Sequence, residues 1–149
     1  MIVTYSILLF LVVSSCSHNS GENGTSVDSG QVQSTVILET SKSWDGTMLQ
    51  YPEGQARATV VVIEIAPGAE TGMHYHPVPN FGYMLEGELE VELEDGRSFR
   101  IEKGEAISEV VDVLHSGRNT GQDIARIVVF YAGSEDKPLT VMEEERTPF

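Results

Sequence analysis

The sequence predicts an all-β domain, a sandwich or barrel of short strands. Three observations carry this. Short β-branched or apolar runs recur at near-even spacing, separated by Gly and Pro. The stretch ELEVELE, from Glu88 to Glu94, alternates strictly, with Leu89, Val91 and Leu93 on one face and glutamates on the other. Few stretches carry a helical period.

Each element follows in order. Val36 to Glu39 (VILE) reads as a first strand, and Trp44-Asp45-Gly46 and Tyr51-Pro52-Glu53-Gly54 read as turns. Ala58 to Ala66 (ATVVVIEIA) is β-branched and apolar, which predicts a buried strand ended by Pro67-Gly68. Met73 to His76 reads as a short strand closed by Pro77 and Pro79. Gly82 to Leu85 reads as another, ended at Gly87. The alternating run then turns at Asp95-Gly96, a hairpin signal, and Ser98 to Ile101 returns. Lys103-Gly104-Glu105 is a turn, Ala106 to Val113 a strand, and Asn119-Thr120-Gly121 a further turn. Ile124 to Tyr131 (IARIVVFY) is the last buried strand, and the chain from Gly133 reads as irregular.

Composition narrows the function classes. A chain of 149 residues with 40% hydrophobic and 7% aromatic residues can bury one core. Its formal net charge is −14. A surface this acidic repels phosphate backbones and anionic lipid, which excludes nucleic acid as a partner class.

The amino terminus reads differently. Ile7 to Val13 (ILLFLVV) is apolar but too short to span a bilayer. Ser14, Ser15 and Cys16 follow, and Cys16 is the only cysteine. The stretch VSSC resembles the lipobox of a bacterial lipoprotein signal peptide, although MIVTYS lacks the usual Lys or Arg. The resemblance implies removal of residues 1–15, lipidation of Cys16 and a place in the cell envelope. Ser17 favours the outer membrane if the cell has one. An ordinary signal peptide, or a tail with a buried Cys, is the alternative. Residues 16–34, rich in Ser, Gly and Asn, read as a flexible tether, and residues 35–149 as the folded domain.

Candidate chemistry lies in the histidines. His74 and His76 alternate on a strand, so their rings project to one face, and His115 follows in GEAISEVVDVLHSGRN. Neutral imidazole is the commonest metal ligand. The plain alternative is a partly buried, hydrogen-bonded pair. The aromatics Tyr75, Phe81, Tyr83, Phe130 and Tyr131, with Met73 and Met84, read as core or interface rather than pocket.

These residues resemble the cupin superfamily, whose fold is a double-stranded β-helix or jelly-roll barrel. Its first motif is Gly, five residues, His-x-His, three or four residues, Glu, six residues, Gly. Gly68, His74, His76 and Gly87 match, with Asn80 at the Glu position. Its second is Gly, five residues, Pro-x-Gly, two residues, His, three residues, Asn. Gly104, His115 and Asn119 match, with Val110 and Asp112 at the Pro and Gly positions. The resemblance covers roughly residues 55–132.

What the resemblance implies is a divalent transition metal (Fe, Mn, Ni, Co, Cu or Zn) on His74, His76 and His115, with Asn80 as a weak fourth ligand or outer hydrogen-bonding group. Glu109 and Glu70 are acids able to stand in for the missing carboxylate. Asn119 reads as a turn residue. The function implied is a membrane-tethered cupin acting as a small-molecule oxygenase, isomerase or lyase. The alternative is a non-catalytic, ligand-binding or dimerising lipoprotein domain with a degenerate metal site. A homodimer is expected on the same analogy.

Overall fold

A computed structural model describes residues 32–145. The signal segment, Cys16 and most of the expected tether lie outside the described residues. Val36 onward forms one compact unit.

In chain order the strands are β1 (Ala56–Ile65), β2 (His74–Tyr75), β3 (Asn80–Glu86), β4 (Glu88–Leu93), β5 (Ser98–Glu102), β6 (Ala106–Ser108), β7 (His115–Arg118), β8 (Ala125–Ser134) and β9 (Val141–Met142). A single 3₁₀ turn, Glu143–Glu145, is the one helical piece among the described residues. The strands form two antiparallel sheets, ordered β1-β8-β3-β6 and β5-β4-β7-β2-β9. This is an all-β arrangement of two antiparallel sheets, as the double-stranded β-helix resemblance implies.

The alternation read in ELEVELE sets the inner face of β4, where Leu89, Val91 and Leu93 are buried. The facing sheet contributes Ile65 from β1, Met84 from β3, and Ile127, Val129 and Tyr131 from β8. Fully burying a side chain such as Met84, Val91 or Ile101 contributes about 1.5–3 kcal/mol. The long strands β1 and β8 hold this sheet together, in unbroken register from Ala56↔Ser134 to Ile65↔Ala125.

Two backbone positions explain tight corners. Gly87 joins β3 to β4 with φ 74°, and a Cβ there would stand 3.0 Å from Ala125 Cα and Ile124 O. Only glycine fits both demands. Asp112, where the cupin pattern has Gly, takes φ 59°, and its N–H donates to His76 O at 2.9 Å. Asp tolerates this left-handed conformation better than most residues, so the loop before His115 makes its turn without the glycine.

Several local expectations are corrected. Val36 to Glu39 forms no strand and lies exposed, because no sheet edge pairs with it. β1 is half-buried rather than buried: Val60 and Val62 face outward, being 61% and 58% exposed, as does Phe130 on β8. The strand expected over Ala106 to Val113 stops at Ser108, and its later residues form the loop that Asp112 turns. The chain beyond Gly133 is not all irregular. β8 runs to Ser134, and Val141–Met142 pairs with β2.

Candidate metal centre

Strand register brings the three histidines together. His74 on β2 lies opposite His115 on β7, and His115 lies opposite Leu93 on β4. Alternation through β2 into the residue that follows it turns His74 and His76 to the inside, where both are buried, with Tyr75 between them less so. Ring centroids are 4.4 Å apart for His74–His115, 4.9 Å for His74–His76 and 5.0 Å for His76–His115. One ligand nitrogen from each ring lies within 4.8 Å of the others.

Each ring is oriented by a backbone carbonyl. His74 Nδ1 lies 2.9 Å from Gly72 O, His76 Nδ1 2.8 Å from Leu139 O, and His115 Nδ1 2.8 Å from Val113 O. A carbonyl only accepts, so all three Nδ1 atoms carry the proton. In the neutral rings each Nε2 then keeps a lone pair, as a metal ligand requires.

Glu109, one residue beyond β6, reaches the same point. Its carboxylate lies 3.2 Å from His76 Nε2 and 3.7 Å from His115 Nε2, and its side chain is 15% exposed. Glu70, the other acid considered, is elsewhere: it is half-exposed and pairs with Arg118 at 3.6 Å. Asn80 is fully buried, and neither its Oδ1 nor its Nδ2 has a hydrogen-bond partner. His115 Nε2 likewise has none. Buried polar atoms are rarely left unpaired, so these orphans around a shared space fit a cation and its ligands.

Electrostatics agree with neutral rings at His74 and His115. Burial, the largest influence, pushes His74 and His115 below the ordinary histidine value of 6.5. For Glu109 burial is also the largest influence and opposes ionisation. The close approach to His76, and the positive charge the three rings carry whenever they are protonated, together outweigh it and hold Glu109 below 4.5. Tyr131 is pushed above 10.0, first by burial and then by the Glu109 charge.

The histidines, Asn80 and Glu109 line a cavity of about 190 Å³. Its surface is mostly apolar, with Ile63, Leu89, Ile107 and Val129 among the lining, and no Lys or Arg lines it. The sequence reads Tyr131 as core or interface rather than pocket. It belongs to the core but also lines the cavity, its ring edge-on to His76 at 5.4 Å, because β8 places it opposite Asn80. Asn119 lies off the cavity, as a turn residue should. Its side chain bonds Ile65 O, Asp123 O and Gly121 N.

Sequence reasoning missed the contribution of the chain end. Leu139 orients His76, and Thr140 lines the cavity. The run Leu139-Thr140-Val141-Met142, just after Pro138, was a readable β signal.

Comparison with known proteins places this geometry. Residues 61–131 match the family described as Cupin domain. A polyketide synthase protein, CurC of Streptomyces cyaneus, is 37% identical over 73 residues, covering 48% of this chain and 47% of that protein. The tetracenomycin polyketide synthase protein TcmJ of Streptomyces glaucescens is 37% identical over 67 residues, 44% of each. The match thus spans about half the length of these curated relatives. Among solved structures, oxalate decarboxylase of Lactobacillus farciminis superposes with TM-score 0.53 at 18% identity, over 61% of this chain and 28% of that one. The DMSP lyase DddQ of Ruegeria pomeroyi gives 0.51 at 20%, over 61% and 45%. At these identities the structures establish the fold alone.

Proposed function

We propose that this chain, whose residues 61–131 match the Cupin domain family, binds a divalent transition metal through His74, His76 and His115 and acts on a small, uncharged, largely apolar molecule bearing a carbonyl or enol oxygen. One observation carries the reading: three buried imidazoles converge, each with its Nδ1 on a backbone carbonyl and one ring nitrogen within 4.8 Å of those of the other two. A bound divalent ion supplies Lewis-acid polarisation of an oxygen, and a redox-active one also supplies oxygen chemistry.

The chain's own residues define what enters. The largely apolar walls favour an apolar body. The unpaired Asn80 amide and the buried Tyr131 are hydrogen-bonding groups for a substrate oxygen. A dicarboxylate is disfavoured, because no cationic side chain lines the cavity and the chain's net charge is −14. The names of the curated relatives, polyketide synthase proteins, support a carbonyl-rich or aromatic substrate class.

The test is metal analysis of the purified chain beside H74A/H76A, then turnover and oxygen uptake against a panel of neutral aromatic and polycarbonyl compounds. Metal in the natural chain only, with turnover of a panel member, is the expected result. Equal metal in both removes the site. Metal without turnover leaves a non-catalytic binding module.

Two further features belong to this reading. Cys16 is proposed to carry a lipid that tethers the domain to the cell envelope; detergent phase partition of the natural chain against C16S checks it. A homodimer is proposed through the outer face of the β1-β8-β3-β6 sheet. There Val60, Phe130 and Phe81 sit side by side, the first two exposed. Light scattering of V60E/F130E reads its loss.

A further inference from the structure

The geometry points to Glu109 as the anionic ligand of the metal centre, supplied from across the strand pair to replace the carboxylate missing at Asn80. This rests on the metal-binding reading above and adds a ligand to it. Phe81 pairs with Ser108 and Gly82 with Ile107, so continuing that register sets Asn80 opposite Glu109. The Glu109 N–H donates to Asn80 O at 3.2 Å, which confirms the pairing. Directly opposed residues have Cβ atoms about 4.5–5.5 Å apart and share a face. Both side chains line the same cavity. An acid at either position therefore reaches one point from neighbouring strands.

The local chemistry calls for a proton or a metal ion there. His115 Nδ1 donates to Val113 O, so Nε2 of the neutral ring presents a lone pair. A Glu109 oxygen faces that lone pair at 3.7 Å with no hydrogen bond to join them. The other oxygen lies 3.2 Å from His76 Nε2, whose ring has committed its Nδ1 proton to Leu139 O. Two electron-rich groups buried face to face repel unless a proton or a metal ion lies between. Ligands with bonds of about 2.0–2.2 Å to one ion stand about 3 Å apart, close to the separations of Glu109 from the two rings. With Glu109 as the anion, the Asn80 amide is free to bind whatever shares the cavity.

The test uses the full chain and zinc alone, with affinity measured by competition against a chromophoric chelator. H74A/H76A reports on the underlying site and should lose zinc. E109Q should bind about 10–100-fold more weakly, N80A within about threefold of the natural chain, and N80E/E109Q should regain most of the loss. Far-UV circular dichroism of the zinc-free variants confirms that each is folded. Should E109Q fail to fold, E109D carries the test: it keeps the charge but draws it back by one methylene, and should also weaken zinc. Full affinity in a folded E109Q or E109D, with zinc lost from H74A/H76A, overturns this assignment alone. Zinc retained by H74A/H76A overturns the metal-binding reading itself.

Discussion

Replacing Asn119 by Ala should destabilise the metal-free domain by about 3 kcal/mol. The side chain makes three bonds: Nδ2 donates to Ile65 O and to Asp123 O, each at 2.8 Å, and Oδ1 accepts from Gly121 N at 2.9 Å. They tie the end of β1 to the turn between β7 and β8. A net loss of about 1 kcal/mol per bond gives the figure, and it rises if Ile65 O stays dry in the mutant. For a domain of this size about 1 kcal/mol lowers the midpoint by roughly 4 °C, so thermal unfolding should fall by about 12 °C. Asp provides the control. It keeps the acceptor for Gly121 but turns an ionised oxygen on two carbonyls, so N119D should be no more stable than N119A at pH 7. Zinc affinity at 20 °C should survive, because the rings are oriented by Gly72, Leu139 and Val113 and not by Asn119. A midpoint within about 3 °C of the natural chain for N119A, or rescue by N119D, would refute the bridging argument.

Two other outcomes follow from the site. Burial holds His74 and His115 below 6.5 in the folded state, so the unfolded chain takes up protons first as pH falls. Stability of the metal-free domain should therefore decline from about pH 6.5 downward. Glu109, held below 4.5, adds a second loss as pH falls through that range. Thermal midpoints against pH check this, and a flat profile between pH 7 and 5 would contradict it. Removing residues 138–149 deletes β9 and the Leu139 carbonyl that orients His76. Zinc should then bind about 10–100-fold more weakly in a chain that keeps its β circular dichroism, and unchanged affinity would show that the carbonyl is dispensable.

The parts legible in the sequence were those written in local period. ELEVELE fixed which face of β4 is buried, and the His-x-His alternation fixed that two rings share a face. That one face of β1 meets solvent was not legible, because β-branched residues suit a strand whichever side is exposed. Val60 and Val62 look like core and face outward. Glu109 was recognised as an available acid but could not be placed. Its position depends on the pairing of β3 with β6, and register is a property of two segments that no spacing within one segment records. Leu139 contributes through its backbone, so its side chain carries no trace of its role.

Charge links the proposed ligand set to the proposed substrate class. Three neutral imidazoles and one carboxylate around a divalent ion leave the pocket with a single net positive charge. The rest of the lining is uncharged and largely apolar. In such a medium an uncompensated charge is costly. A molecule that enters neutral and is held as a monoanion, as an acidic enol or phenol would be, brings the pocket to neutrality. A dianion overshoots it and finds no Lys or Arg to offset the excess. A neutral molecule that cannot ionise leaves the positive charge standing. Affinity should therefore rank enols and phenols above both dicarboxylates and simple ketones of similar size. Replacing Glu109 by Gln adds one positive charge to the loaded pocket, so the same change that weakens the metal should shift the remaining preference toward more anionic ligands.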